Sequence, residues 1–489
     1  MRKENKKEKK LIGKSKYVYI LLTLLYMGVS IVFLFNILNL ELLPIKYTAI
    51  LVAVFAIITG IVMLGISMGK KKSLIRRIIF LIIAIIAIVG YIFGMRYIDA
   101  TVEFMDAMSE ELIETEEYHV VTLNNATYLD IKSLDSKAIY CFTSNEDYSD
   151  VKKDILKETK VTFENTDSLE SISDSLLLGK VDAILVSASQ YGLICDYFTN
   201  FDNDTKIIYT AKHIIKGNNA SEINEEDSEY TIKKGKFNVY ISGIDTDGDI
   251  TNVARSDANI LITVNTDTRE VLLTAIPRDY YIPLHSNGQM DKLTHTGIYG
   301  IGETVSTVED LLETDINYYV RVNFSTVIKL VDTLGGIDVK SDYAFKLGKY
   351  KFVKGINHLN GEQTLVFARE RKTFAGGDRQ RVKNQQAVIV GIMDKVLNST
   401  TLLTKYTELL EAMNGYFQTN IEQHEISKIV REQLNDMRAW NINTISLNGS
   451  STKDVTYSYG NLYTHVMKPY EDTVIEAKTK INQVLGSIE

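Results

Sequence analysis

Two aspartates and a set of arginines stand out by type and spacing. Asp245 and Asp257 are near enough in the chain to converge. Paired carboxylates suit a hard divalent cation: Mg²⁺ takes one or two of them, keeps some waters and bridges phosphate oxygens. Arg255 lies just before the second aspartate, and Arg278 follows an apolar run in Pro277-Arg278-Asp279. Further on come Arg369, Arg371, Arg379 and Arg381, with Gln385 four residues after Arg381 on an expected helix, so that the two share a face. Asp378 stands just before that helix, where an N-cap acceptor belongs. Guanidinium groups gathered at one point are costly unless an anion lies among them, and arginine grips phosphate oxygens in bidentate fashion. Two acids for a metal and four or five arginines for phosphates suggest a pyrophosphate site. Spacing alone equally allows a solvated charged face.

Other chemistries fit poorly. Asp245-Thr-Asp247-Gly-Asp249 starts like a calcium loop, but Ile250 stands where the invariant glycine belongs and Ser256 where the bidentate glutamate belongs. Gly297–Gly302 has no strand leading into it at the spacing of a dinucleotide fingerprint. His295 reads as a structural or solvated histidine. Two cysteines cannot build a disulfide scaffold or a four-thiolate zinc site. Outside the membrane Cys141 and Cys195 are permitted to pair, and sequence does not decide whether they do.

The elements that must position these groups read as α/β. Phe237–Ser242, Ile260–Val264 and Val271–Ile276 are buried-strand candidates, and the candidate residues lie at their ends, where ligands bind in open α/β sheets. Helices are expected over Ser306–Leu312, Thr326–Leu334, Gly361–Phe367, Arg379–Leu397, Leu402–Met413, Ile421–Met437 and Tyr470–Leu485, with a strand at Ile442–Leu447. Upstream, residues 118–216 alternate short β-rich runs with helices and read as a smaller α/β unit. Its stretch Leu177–Gln190 resembles part of a solute-binding-protein lobe, although a plain spacer domain fits better. A linker over 217–236, rich in Asn, Ser, Glu and Lys, separates it from a larger α/β region over 237–489, expected as an α/β/α sandwich with a central mixed sheet.

Three apolar runs precede all of this: Tyr17–Leu40, Tyr47–Met68 and Ile78–Met95. Each approaches the roughly 20 residues that cross a bilayer core, and three in succession do not fit a cleaved signal peptide. The expected order is a basic N-terminus over 1–16, three spans within 17–98 and an acidic helical spacer over 99–117. Residues 1–99 hold fifteen Lys and Arg against four Asp and Glu. The whole chain is −8, so the remainder carries −19. The bases cluster in 1–16 and in the loop Lys70–Arg77, which places both in the cytoplasm and everything after residue 99 outside. An acidic exported part and so short a cytoplasmic terminus argue against direct contact with nucleic acid.

The segments Asn238–Asp257 (NVYISGIDTDGDITNVARSD), Ala275–Asp279 (AIPRD), Val331–Val339 (VDTLGGIDV) and Leu359–Ile389 resemble, in this order, the LytR-CpsA-Psr family. Three spans and an extra exported domain are similar to its capsule-type members. The resemblance implies a transferase that moves a glycopolymer (capsule, teichoic acid or another wall polysaccharide) from an undecaprenyl-pyrophosphate carrier onto peptidoglycan. The setting is the membrane lipid at a bacterial, Gram-positive surface. It implies that Asp245 and Asp257 hold Mg²⁺ (or Mn²⁺), and that Arg255, Arg278, Arg369, Arg371, Arg381 and Gln385 bind the pyrophosphate, with Arg278, Arg369 and Arg371 catalytic. An apolar tunnel for the lipid is expected from residues of 260–334. Two departures from the family pattern touch substrate fit: Asn384 replaces an arginine, and Lys292-Leu-Thr-His-Thr296 with Gly300-Ile-Gly302 replaces the usual Lys-x-Asn-x-Ala and glycine pair. A membrane-anchored transcription attenuator, a non-catalytic wall-polymer sensor and a polyprenyl-pyrophosphate phosphatase remain as rivals. The sequence sets no oligomeric state.

Overall fold

The computed structural model describes residues 21, 24–39, 45–67, 74–110, 113–142, 148–166, 168–215, 235–244, 250–397, 405–413, 416–435 and 438–486. The expected cytoplasmic terminus 1–16, most of the linker 217–236, the basic stretch 68–73 and Asp245 lie outside the described residues. The chain divides into two compact units, Met1–Asp106 with Glu422–Arg438, and Ala107–Ile421 with Ala439–Glu489.

The first unit contains three apolar helices: α1 (Leu24–Asn39), α2 (Ile45–Ser67) and α3 (Leu74–Glu110). They share a small core in which Tyr26, Val62 and Ala84 are buried beside Phe80 and Tyr91, and Phe33 stacks on Tyr91 at 4.8 Å. Most of their remaining Leu, Ile and Phe point outward, as a lipid solvent requires. Ile45–Met63 and Ile79–Phe104 are long and apolar enough to cross a membrane, while Leu24–Asn39 is shorter. Two such helices near the N-terminus suggest a membrane anchor. α3 absorbs most of the expected spacer, because the acidic residues after 99 continue its helix to Glu110.

The second unit holds two mixed sheets. The first contains β1 (Glu114–Leu123), β2 (Ala138–Phe142), β3 (Thr162–Thr166), β4 (Ala183–Ser187) and β5 (Thr205–Ile215), in the order β3-β2-β4-β1-β5. It begins at Glu114, four residues ahead of the expected boundary. The charged run there is a strand because Glu114 and Glu116 are buried against polar partners. Helices α4 (Ser149–Glu158), α5 (Leu169–Leu177) and α6 (Ala188–Tyr197) cover it. α6 starts in a capping box: Ser187 Oγ accepts from Gln190 N, and Gln190 Oε1 accepts from Ser187 N. Cys141 and Cys195 are separate thiols, and burial pushes Cys141 up to about 11.

The second sheet contains β6 (Lys236–Ile244), β7 (Ser256–Asn265), β8 (Glu270–Ile276), β9 (Tyr318–Val322), β10 (Phe417–Thr419) and β11 (Asn441–Ser446), in the order β10-β9-β6-β7-β8-β11. β6, β8, β9 and β11 run one way, while β7, between β6 and β8, and the edge strand β10 run the other way. Alternation sends Leu261 and Leu272 to one face, against α7 (Ile301–Leu312) and the final helix Glu471–Leu485. Ile260 and Leu273 go to the other face, against Val382 and Ile389. Beyond them lies a core shared by α8 (Phe324–Thr333), α9 (Gly361–Arg369) and α10 (Asp378–Leu397). This is the expected α/β/α layering. Asn323 and Asn360 cap α8 and α9 by accepting from Thr326 N at 3.0 Å and Gln363 N at 2.9 Å. Among the described residues, small two-stranded pairings, hairpins among them, decorate the sheet without being announced by the apolar pattern, as with Tyr281–Pro283 and Met290–Lys292 or Gly449–Val455 and Tyr463–Pro469.

Candidate active site

The register explains how distant residues meet. β7 starts at Ser256, earlier than its apolar run suggests, so that Asp257 is part of the strand. Ile244 pairs with Ser256, across a register shift at Gly243/Ile244, and Ile276 pairs with Asn259. The end of β6, the start of β7 and the end of β8 therefore lie side by side. Bulges of this kind re-aim side chains at strand ends.

Arg278 is the hub. Its Nη1 donates to Asp257 Oδ2 at 2.7 Å, and its Nε lies 3.9 Å from Asp378 Oδ1 and 4.0 Å from Asp279 Oδ2. Thr294 Oγ1 donates to the other Asp257 oxygen at 2.9 Å. Arg381 Nη2 lies 2.5 Å from Asp378 Oδ1. Asp279 faces Lys292 Nζ at 3.5 Å and His465 Nδ1 at 3.6 Å. Three carboxylates and at least three cations thus share one partly buried cluster. Arg371 is exposed, yet its charge is felt at Arg381, which places it at the rim. Arg255 donates to Asp196 at the end of α6, and its charge also reaches Asp257.

The electrostatics are strained in one direction. Burial works against ionising Asp257, but Arg278, Arg255 and Arg381 outweigh it and hold the carboxyl below its usual range. Burial likewise opposes Asp279, and His465, Lys292 and Arg278 overcome it. Asp378 is the exception: burial pushes it up, and Arg381 offsets this only in part. Burial and Arg278 both pull Arg381 down. Several buried atoms here have no hydrogen-bond partner among the described residues: Arg278 Nε, Arg381 Nε and Nη2, and both oxygens of Asp378. The close Arg381–Asp378 approach is a charge contact without hydrogen-bond alignment. Unpaired buried donors are costly, and they mark where an anion fits.

An apolar cavity of about 260 Å³ adjoins the cluster. Ile241, Ile260, Ile262, Val327, Leu330, Leu365, Val388 and Ile389 line it, and its charged lining groups among the described residues are Asp257 and Arg369. Gln385 also lines it, and the Arg369 guanidinium lies over the Phe324 ring at 4.1 Å. The lining reaches beyond the expected 260–334 into α9 and α10, because the cavity lies between the sheet and the helical layer.

Several sequence expectations change. Asp378 is the first residue of α10, and its carboxylate faces Arg381 without capping the helix. Arg379 leaves the cluster and donates to the Gly449 carbonyl at 2.7 Å. Asn384, where an arginine was expected, is buried and donates to the Phe367 carbonyl at 3.2 Å, so this position faces α9. His295 is buried, with Nδ1 2.6 Å from Asp291 Oδ1, and Asp291 also accepts from Ser458 N and Oγ. The 291–296 stretch is therefore a bracket that brings Thr294 to Asp257. Sequence reasoning missed Asp196 and His465, and it reached Thr294 and Lys292 only through the family pattern, since nothing in their spacing links them to the site.

Together, a mixed sheet between helical layers, a cluster of arginines and aspartates at its strand ends and an adjoining apolar cavity define an α/β sandwich of one recognisable class. The chain belongs to the LytR_cpsA_psr family, whose pattern matches residues 198–476. It is 38% identical over 200 residues to the polyisoprenyl-teichoic acid–peptidoglycan teichoic acid transferase TagU of Bacillus subtilis (strain 168), covering 40% of this chain and 64% of that protein. The chain thus spans less than two thirds of that relative's length. TagU of Bacillus anthracis is 30% identical over 251 residues, covering 51% of this chain and 79% of that protein. The crystal structure of B. subtilis TagU aligns at 31% identity over 52% of this chain and 97% of that one, with a TM-score of 0.41.

Proposed function

We propose that this chain is a membrane-anchored phosphotransferase. In this reading it moves a teichoic-acid- or capsule-type glycopolymer from an undecaprenyl-pyrophosphate carrier to peptidoglycan on the outer side of the membrane. The observation that carries it is the set of buried, unfilled guanidinium donors on Arg278 and Arg381 beside an apolar cavity. A polyanionic head on a prenyl tail has this combination of needs. The names of the relatives support the polymer and acceptor classes.

The geometry supports the following course for the reaction. The pyrophosphate oxygens take the open donors of Arg278 and Arg381, with Arg369, Arg371, Arg255 and Gln385 around them. A wall-glycan hydroxyl attacks the phosphorus that carries the polymer, the bridging P–O bond breaks, and undecaprenyl phosphate leaves. The hydroxyl proton passes to a carboxylate, and Asp378, whose oxygens accept no hydrogen bond among the described residues, is free to take it. Charge on the leaving phosphate is stabilised by fixed cations in a site of low dielectric.

The donor chemistry also fits Mg²⁺ or Mn²⁺. Asp257 is ionised and keeps lone pairs beyond its two hydrogen bonds, and Asp245 directly follows Ile244, which pairs with Ser256. When bound, the ion neutralises pyrophosphate charge.

The test uses the full chain in detergent with a lipid-linked polymer and peptidoglycan. Arg278→Ala should reduce transfer at least about a hundredfold, the size of losing a transition-state charge contact. Its thermal unfolding should remain cooperative. Transfer at the wild-type rate by Arg278→Ala would sink the assignment. Release of undecaprenyl phosphate without wall-linked polymer would instead identify a phosphatase.

A further inference from the structure

The first sheet of the second unit is attached to the loop that leads into Asp257. Thr115 N donates to the Thr251 carbonyl at 2.9 Å, and Val253 N donates to the Thr115 carbonyl at 2.8 Å. This makes a parallel bridge between Thr115 and Asn252 beside β1, past the point where β4 stops pairing. Ser189 N, in the first turn of α6, donates to Glu116 Oε1 at 3.2 Å and ties the same corner together. At the other end of α6, Asp196 accepts from Arg255 Nη1. Asp196 and Thr115 both precede residue 198, where the family match begins. The shared catalytic segment thus has one of its arginines held by a carboxylate from outside itself.

We propose that Asp196 is a positioning residue that orients the Arg255 guanidinium toward the pyrophosphate site, so that the N-terminal sheet sets the geometry of that site. This deepens the functional reading above and rests on it. A guanidinium presents five N–H donors in a rigid plane, and a carboxylate on one end directs the others. Asp196 is 56% exposed and Arg255 19%, so the pair contributes little to holding the fold. What it supplies is direction. Removing that carboxylate takes away one hold on a long side chain, which then has more freedom to lose on binding. The backbone bridge at Thr115 fixes the base of that side chain, and Asp196 fixes its head. Arg255 immediately precedes β7 and stands two residues before Asp257, so its backbone is anchored beside the cluster.

The experiment is isothermal titration of geranylgeranyl pyrophosphate into the full chain in detergent micelles. Asp196→Asn should weaken binding about threefold to fivefold, the scale of a partly exposed ion pair. Asp196→Glu should recover most of that loss. Arg255→Ala should weaken binding more, and adding Asp196→Asn to it should cost nothing further, because the carboxylate acts through that arginine. A merely structural role would make the two losses add. Additive losses, or an Asp196→Asn variant that binds as tightly as the wild type or tighter, would overturn the proposal. If the wild-type chain fails to bind the probe, the functional reading falls and this inference falls with it. If the wild type binds and Asp196→Asn is unchanged, only the inference fails.

Discussion

Asp279 sits between Lys292, Arg278 and the His465 ring, and its side chain is only 10% exposed. Burial alone would favour the neutral acid, yet His465, Lys292 and Arg278 hold the carboxyl well below its ordinary range. A carboxylate whose folded pKa is depressed stabilises the fold fully above its unfolded pKa, about 3.9. That contribution is lost as pH falls below this value toward the folded pKa. The stability gap between the wild type and Asp279→Asn should therefore be constant from pH 7 to about pH 5 and shrink at lower pH. Urea unfolding of both proteins across that range measures it, and a gap that widens on acidification would contradict the pairing. Asp378 has the opposite sign, since burial raises it and ionising it costs the unliganded fold stability. At this scale sequence spacing was informative about Asp257, Arg278 and Arg381, because each follows or begins an element whose end is set by the sheet. It was silent about Thr294, Asp196 and Lys292. Their contacts are made by irregular segments and by a second sheet, whose approach is decided by packing.

Among the elements, the apolar runs 260–264 and 271–276 and the helical periods of α7 to α10 were legible, since burial on two faces demands them. The hairpins were not. Ile337–Ser341 and Gly355–Leu359 pair with one face exposed, and Phe345–Leu347 and Tyr350–Phe352 are only three residues each. Stretches that short carry no period. The cavity was also invisible, because its Val, Ile and Leu are the residues any core would use. It exists because α8 and α9 stand off from β6, β7 and β9, and Leu330 on α8 lines it. Leu330→Trp should fill that space. Geranylgeranyl pyrophosphate should then bind about tenfold or more weakly, as the loss of two buried methylenes already amounts to this. Inorganic pyrophosphate should bind as in the wild type. Equal losses for both probes in a calorimetric titration would mean that the cavity does not hold the prenyl chain.

For the whole molecule the question is which side of the membrane the cluster faces, and α3 decides it. Its apolar window runs from Ile79 to Phe104, 26 residues or about 39 Å of helix, enough to cross a core of about 30 Å with tilt. The sequence just before this window carries Lys70, Lys71, Lys72, Arg76 and Arg77, whereas the chain beyond residue 99 is acidic. Positive charge stays on the cytoplasmic side, so the second unit should emerge outside whether or not α1 spans. α1 bears on a separate point. Its 16 described residues give about 24 Å, short of a full crossing, but the basic stretch Arg2–Lys16 can remain cytoplasmic only if the α1 segment crosses. Single cysteines labelled in intact cells with a membrane-impermeant maleimide separate the two points, in a chain whose Cys141 and Cys195 are replaced. Lys349→Cys, on an exposed turn of the second unit, should label in intact cells, and Lys71→Cys only after permeabilisation. Lys7→Cys should behave like Lys71→Cys if three segments cross. Labelling of Lys7→Cys in intact cells, with Lys71→Cys still protected, would reduce the anchor to α2 and α3. Labelling of Lys71→Cys in intact cells would place the second unit in the cytoplasm, away from any wall acceptor, and would remove the basis for glycopolymer transfer to peptidoglycan.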